Sequence, residues 1–147
     1  MWKLSASERL SRWKDFRKLV NTQSIEQAIC STVEFWHSCP FTPYYLDADR
    51  PDLWPTPWQL ISENYYCDLA KVLGIVYTLY LTDHCKELDA EIHVYRDTSS
   101  GATYNLAFFC QGKYVINLVE AEVVNISSIK KEFKLTHSYT SKDLKIE

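Results

Sequence analysis

The N-terminal part of the chain contains two runs of apolar positions spaced three or four residues apart, the period of an amphipathic helix. These positions are Leu10, Trp13, Phe16 and Val20 in the first run, and Ile25, Ile29, Val33 and Trp36 in the second. Each run begins with the spacing of a helix capping box, Ser5 with Glu8 and Ser24 with Gln27. The pattern predicts a helix over residues 6–20 and a second that ends near residue 39, and we expect the two to pack together.

All five prolines lie between Pro40 and Pro57, in a segment that is also rich in aromatic residues. This composition is typical of an ordered loop and is too apolar for a linker. Pro57 suits the first turn of a short helix that reaches about Ser62. A longer helix follows to about Thr82, with Asn64 as its cap. Its apolar stripe consists of Leu69, Val72, Leu73, Val76, Leu79 and Tyr80.

From Ala90 onward apolar and polar residues alternate, which is the period of a β-strand. Two further strands are predicted over residues 104–110 and 113–119, joined at Gln111 and Gly112 by a two-residue primed turn. A short strand is expected over 122–126, residues 127–133 fit either a helical turn or a strand, and residues 134–147 are left as a C-terminal arm. Helices precede strands throughout, so we expect a single α+β domain over residues 1–147. Its parts are the helical residues 1–39, the loop 40–58, and a core of helix and antiparallel sheet over 59–126.

Composition narrows the classes of function. With 147 residues, 46% hydrophobic and 24% charged, the chain is an ordinary globular protein. Its net charge of −3 gives no general attraction to nucleic acid or to anionic membranes. The five cysteines show no CxxC spacing and predict neither disulfides nor a zinc site. We therefore expect no metal, no cofactor and no membrane segment, and a cytoplasmic location.

Basic side chains concentrate on the first predicted helix. Residues 1–20 carry a charge of +4, against −7 for the remainder. The basic face of the helix consists of Arg9, Arg12, Lys14, Arg17 and Lys18. Such a face is usually solvated, and its functional interpretation is docking on an acidic partner or on a phosphate backbone.

Cys67 is the candidate nucleophile. It falls at the start of the long helix, in its predicted first turn, where unpaired N–H groups and the helix dipole stabilise a thiolate. His93 is the candidate base, because it alternates with Ile92 and Val94 and so leaves the apolar face of its strand. The alternatives are a buried, inert cysteine and a solvated strand histidine.

A helix opened by cysteine and followed by an antiparallel sheet resembles the transglutaminase-like and papain-like cysteine enzymes. The stretch Cys67-Asp68-Leu69-Ala70 is similar to that family's Cys-x-Asp-aromatic-Ala motif but is one residue shorter. The resemblance implies a transglutaminase-like fold over roughly residues 57–119. It also implies that Ala102 stands where the family has its catalytic histidine and Asn117 where it has its aspartate. Conventional triad chemistry would then lack its base.

The aromatic residues of the loop and of the following segment are a candidate binding surface, because tryptophan and tyrosine dominate interface hot spots. They are Tyr44, Tyr45, Trp54, Trp58, Tyr65 and Tyr66. The alternative is a small core beneath a long loop.

The strings at residues 41–47, 54–61 and 65–68, including Trp54-Pro55-Thr56-Pro57-Trp58, resemble small proteins of tailed phages of marine bacteria. That resemblance implies a protein of the host cytoplasm, or one incorporated in the virion. The first hypothesis is a phage structural or assembly accessory protein that binds other phage or host proteins on a non-catalytic scaffold, either as a monomer or as a homo-oligomer. The second is a cysteine hydrolase or acyltransferase that uses Cys67 and His93. The third is a host-directed regulator that binds through the basic helix, with nucleic acid the less favoured partner.

Overall fold

The structure is a computed structural model, and it describes residues 1–146; Glu147 lies outside the described residues. The helices are α1 Ala6–Asn21, α2 Ile25–His37, α3 Pro57–Glu63, α4 Asp68–Tyr80 and α5 Cys85–Leu88. The strands are β1 Glu91–Asp97, β2 Thr103–Phe109, β3 Tyr114–Ile116, β4 Val123–Val124 and β5 Phe133–Thr140. Helices precede a five-stranded antiparallel sheet, which confirms the α+β class.

The helix caps follow from the sequence. Ser5 and Ser24 accept from the backbone N–H of Glu8 and Gln27, as the capping signatures predict. Pro57 is the first residue of α3, behind a complete capping box that Thr56 and Gln59 form. These local contacts fix where α1, α2 and α3 begin.

The start of α4 differs from the prediction. Asn64 adopts a left-handed conformation with a φ of 60° and ends α3, so it does not cap the next helix. Cys67 has an extended backbone and is the N-cap residue of α4 instead of lying in its first turn. Cys67 therefore lies immediately before the first residue of α4, which is Asp68.

The sheet has the strand order β4-β3-β2-β1-β5, with neighbouring strands antiparallel. The predicted hairpin between β2 and β3 is present, but Phe109 pairs with Tyr114, so four residues connect the strands instead of two. Cys110, Gln111 and Gly112 all have positive φ in this loop. The segment expected as a C-terminal arm forms the edge strand β5 along β1, over Phe133–Thr140.

Two buried tryptophans join α1 and α2 to α4. The indole N–H groups of Trp13 and Trp36 both donate to the hydroxyl of Thr78, each at 2.9 Å. That hydroxyl in turn donates to the carbonyl of Gly74 at 2.7 Å. All three side chains are at most 1% exposed. One threonine therefore satisfies both polar groups of the three-helix contact.

Gly74 of α4 lies directly against the ring of Trp36, a residue of α2. A Cβ atom at this position would come within 2.5 Å of the ring of Trp36. We predict that Gly74→Ala destabilises the protein by about 2 kcal/mol, because overpacking outweighs the roughly 1 kcal/mol that alanine gains in a helix. Urea denaturation followed by circular dichroism measures this. A Gly74→Ala variant more stable than the wild type would contradict the prediction.

Candidate functional site

A cleft of about 490 Å³ opens at the N-terminal end of α4. Its lining combines the start of α4, the end of α2, the segment over residues 39–41, the start of β2 and the segment after β3. The polar residues that line it include His37, Cys67, Asp68, Lys71, Asn117 and Glu120. The fold thus brings charged groups from three distant parts of the chain to the end of one helix.

A second recess of about 410 Å³ adjoins this cleft. It shares Phe41, Cys67, Asp68 and Thr103 with the first cleft. Its further lining is mainly apolar and includes Pro43, Tyr44, Leu46 and Ala48. Cys67 therefore lies between a polar and an apolar portion of one continuous depression, which we call the Cys67 cleft.

Backbone contacts hold Cys67 in this place. Tyr66, the residue before it, bridges Phe41 in parallel, and the N–H of Thr42 donates to the carbonyl of Tyr66 at 2.9 Å. The ring of Tyr66 packs edge-on against Trp2 and Trp36. Cys67 itself is 7% exposed, and its side chain makes no capping hydrogen bond to α4. The thiol borders the cleft from a mostly buried position.

Asp68 is the centre of a hydrogen-bond network inside the cleft. The Nδ2 of Asn105 donates to its Oδ2 at 2.9 Å. The Nδ2 of Asn117 lies 3.0 and 3.1 Å from its two carboxylate oxygens and also donates to the carbonyl of Asn105 at 2.9 Å. Lys71 lies 3.7 Å from the same carboxylate. These donors compensate the half-buried charge and fix Asn117, which has a φ of 71°.

His93 does not meet Cys67. Its ring stacks on Phe108 with centroids 4.3 Å apart, and its Nε2 lies 3.5 Å from Glu91. It pairs in register with Leu106, which belongs to a separate apolar cluster on the face of the sheet turned away from α4. The alternation that points His93 off the apolar face of β1 therefore points it away from the cysteine. Burial lowers the pKa of His93, and the nearby Glu91 partly opposes this.

His37 is the imidazole that does line the Cys67 cleft. It ends α2, and its Nδ1 lies 3.6 Å from the carboxylate of Glu120. The position that the family resemblance assigns to the catalytic histidine holds Ala102, an exposed residue of the turn before β2. Its neighbour Thr103 lines the cleft. The imidazole of this cleft thus comes from α2, whereas its acid, Glu120, lies in the same segment after β3 as Asn117.

Cys39 also lines the cleft. Burial raises the pKa of its thiol to about 11, with Lys71 acting weakly in the opposite direction. A thiol with such a pKa stays protonated near neutral pH and is a poor nucleophile.

The predicted aromatic surface divides into buried, half-buried and exposed residues. Trp54 and Tyr66 are each 1% exposed and belong to the core. Tyr45 is half-buried and donates to Glu63. Tyr44, Tyr65 and Trp58 are exposed, and of these three Tyr44 lines the Cys67 cleft together with the exposed Phe41. The surface that remains at the cleft is smaller than the sequence suggests and includes Phe41.

Only part of the predicted basic face is exposed in the structure. Arg9 is buried and donates to the carbonyls of Leu4, Ile61 and Ser62. Arg17 is half-buried, with its guanidinium carbon 4.3 Å from the centre of the Trp13 ring. Arg12, Lys14 and Lys18 stay exposed. A charge pattern cannot distinguish an arginine that satisfies backbone carbonyls from one that faces water.

The sequence analysis does not predict several residues of the Cys67 cleft. Lys71 follows Cys67 by one helical turn and could have been placed from that spacing. Asn105 could have been placed on the α4-facing side of β2, because it alternates with Ala107 and Phe109. No local signal marks His37 or Glu120, since their positions depend on how α2 and the segment after β3 pack.

The helical layer, the five-stranded sheet and a cysteine at the start of the central helix define a transglutaminase-like fold. Solved structures of Legionella pneumophila LapG share it at 12% sequence identity. The calcium-bound form matches with a TM-score of 0.72 over 95% of this chain and 82% of that chain. The EGTA-treated form matches with a TM-score of 0.70, over 93% and 78% of the two chains. No protein-family model and no curated protein matches the sequence.

This likeness confirms the expected fold and extends it beyond residues 57–119. At such identity the comparison concerns the fold alone, and the phage setting expected from the sequence stays a proposal. Among residues 1–146 no group of three or more histidine, cysteine or acidic side chains is placed to hold a metal ion. Within the same residues, no helix combines the length and apolarity that a membrane span requires.

Proposed function

We propose that this protein acts by protein–protein binding, and that the Cys67 cleft receives a segment of the partner. The observation that carries the proposal is the contact between Asn117 and Asp68. The third residue of a triad, an aspartate or an asparagine, orients an imidazole through its side-chain oxygen, whereas Asn117 donates its amide N–H group to the carboxylate of Asp68. The residue at the position of the family's triad aspartate is thus engaged in a structural network, and the position of the histidine holds Ala102, which supports a binding role over a catalytic one.

The shape of the cleft supports a polypeptide as the ligand. One portion is polar and one is apolar, and the exposed rings of Phe41 and Tyr44 border the apolar portion. Exposed aromatic side chains at the edge of a depression are typical anchors for a partner's side chains. The setting we propose is a phage structural or assembly role. This setting is supported by the resemblance of residues 41–47, 54–61 and 65–68 to small proteins of tailed phages of marine bacteria.

The binding test uses a displayed library of linear peptides, panned against the protein. We expect enriched peptides that lose at least about tenfold in affinity for the double variant Phe41→Ala, Tyr44→Ala, since each ring contributes more than about 1 kcal/mol at a hot spot. The control is Leu53→Ala, which removes an exposed apolar side chain that lies outside both recesses. No enrichment, or equal binding to both variants, would contradict the proposal.

The second candidate function is that of a cysteine hydrolase or acyltransferase with Cys67 as nucleophile. The observation that favours it is the presence of His37 in the same cleft, with the carboxylate of Glu120 3.6 Å from its Nδ1. This arrangement would replace the predicted base His93, which faces the other side of the sheet.

Alkylation of Cys67 distinguishes the two candidates. The binding role predicts that iodoacetamide modifies the exposed Cys30 before the mostly buried Cys67 near pH 7, and that His37→Ala changes the rate at Cys67 less than about twofold. Mass spectrometry of the modified peptides gives both rates. His93→Ala is the matched control for loss of a histidine. A reactive Cys67 that slows about tenfold or more in His37→Ala but not in His93→Ala would favour the enzyme.

A further inference from the structure

Arg17 occupies an unusual environment on the outer side of α1. Its guanidinium carbon lies 4.3 Å from the ring centre of Trp13 and 5.4 Å from that of Trp58. The two rings meet edge to face at 5.6 Å, and Trp58 is 43% exposed. The positive charge is therefore held against aromatic rings at the edge of the core, in a place that remains open to a partner.

The charge of Arg17 has no anionic partner in the described part of the chain. Among residues 1–146 no carboxylate lies within 4 Å of the charged nitrogens of Lys14, Arg17 or Lys18. The Nε of Arg17 is buried and makes no hydrogen bond within the protein. Burial lowers the pKa of Arg17, although the side chain stays charged at neutral pH. A half-buried guanidinium without a counterion gains more from a carboxylate than an exposed one does.

Lys14, Arg17 and Lys18 line a recess of about 220 Å³ between α1 and the residues after α4. The recess also contains Asp83, which exchanges two hydrogen bonds with Asn21. Asp15 is exposed on the same helix beside Lys14. The local charge remains positive after both are counted, and it stands out on a chain whose net charge is −3.

We propose that Lys14, Arg17 and Lys18, with the exposed face of Trp58, form a docking site for an acidic segment of another protein. Charge complementarity identifies the partner's chemistry, because carboxylates suit both the guanidinium fork and the two ammonium groups. The recess is short and the rest of the chain is negative, which favours an acidic peptide over the long polyanion of a nucleic acid. The site is separate from the Cys67 cleft, so it does not depend on the function proposed there.

The test uses a fluorescent peptide rich in glutamate and its glutamine counterpart, with fluorescence anisotropy as the readout. We expect the glutamate peptide alone to bind, with an affinity that falls at least about tenfold as the ionic strength rises from roughly 0.02 M to 0.2 M. Arg17→Gln should weaken binding about tenfold. The double variant Lys14→Gln, Lys18→Gln should do the same without touching the core, because both lysines are exposed.

Lys134→Gln, which removes an exposed lysine on β5, is the matched control and should change affinity less than about twofold. Single-stranded and duplex oligonucleotides are measured in parallel. The proposal is overturned if the glutamate peptide does not bind at low salt, or if the variants at positions 14, 17 and 18 bind it as the control does. Tighter binding of an oligonucleotide through the same residues would also overturn it.

Discussion

Replacement of Thr78 by valine is expected to destabilise the protein by about 4 kcal/mol. Valine has nearly the shape of threonine but no hydroxyl, so the indole N–H groups of Trp13 and Trp36 would both lose their acceptor in a fully buried place. Each buried donor left unsatisfied costs roughly 1–3 kcal/mol. Urea denaturation of the two proteins, monitored by tryptophan fluorescence and circular dichroism, measures the difference in the free energy of unfolding.

Thr78→Ser is the control for this prediction, because it keeps the hydroxyl and removes only a methyl group; its cost should be near 1 kcal/mol. Combining Thr78→Val with Trp13→Phe removes one of the two indole N–H groups that Thr78→Val leaves without an acceptor. The loss in the double variant should then be smaller than the sum of the two single losses. A cost below about 1 kcal/mol for Thr78→Val would show that the indoles find other acceptors.

The helical part of the fold was accessible from the sequence because helical periodicity and capping residues are local signals. The two N-terminal helices and the helix that Pro57 starts lie within a residue or two of their predicted bounds. The start of α4 was misplaced because Asn64 is favourable both as a cap and in the left-handed conformation that ends α3. Asparagine therefore suits both positions, and only the packing of the helices decides which of them Asn64 takes.

The hydrophobic pattern of residues 133–140 does not predict the edge strand β5. Its alternate residues Phe133, Leu135, His137 and Tyr139 mix apolar and polar side chains, and Leu135 is 46% exposed. An edge strand buries little of either face, so the alternation on which sequence analysis depends is weak. Its position follows from pairing with β1, a contact between segments distant in the sequence.

Only part of the candidate site is predictable from the sequence. Cys67 and Asn117 were placed by their resemblance to a motif, and both line the cleft. The pairing of His93 with Cys67 was not supported, because alternation along a strand separates two faces without saying which one a helix covers. His37 and Glu120 came from packing alone.

Asn117 and Asp68 form a complementary pair of amide and carboxylate. The Nδ2 of Asn117 faces three oxygen acceptors at once, two on Asp68 and one on the carbonyl of Asn105. An acceptor-only side chain at this position would meet the same three oxygens with repulsion. A triad aspartate at this position is therefore incompatible with the present network, which makes the pair a test of the non-catalytic interpretation.

We expect Asn117→Asp to destabilise the protein by about 3–5 kcal/mol near pH 8 and by much less near pH 4. The variant loses the donated hydrogen bonds and places two carboxylates about 3 Å apart. Like charges at this distance raise the pKa of one carboxyl group in the folded state above its unfolded value of roughly 4. The folded variant then binds an extra proton, so its stability is highest at low pH and is lost as pH rises through the raised pKa.

Urea denaturation across pH 4 to 8 measures the difference between wild type and variant at each pH. Asn117→Ala is the matched control, since it removes the hydrogen bonds without adding a charge; its cost should be about 1–2 kcal/mol and vary with pH much less than that of Asn117→Asp. Equal costs for the two variants at all pH values would mean that the loop after β3 moves the new carboxylate away from Asp68. The cleft would then be able to hold an acid at this position, and the engagement of Asn117 with Asp68 would no longer argue against catalysis.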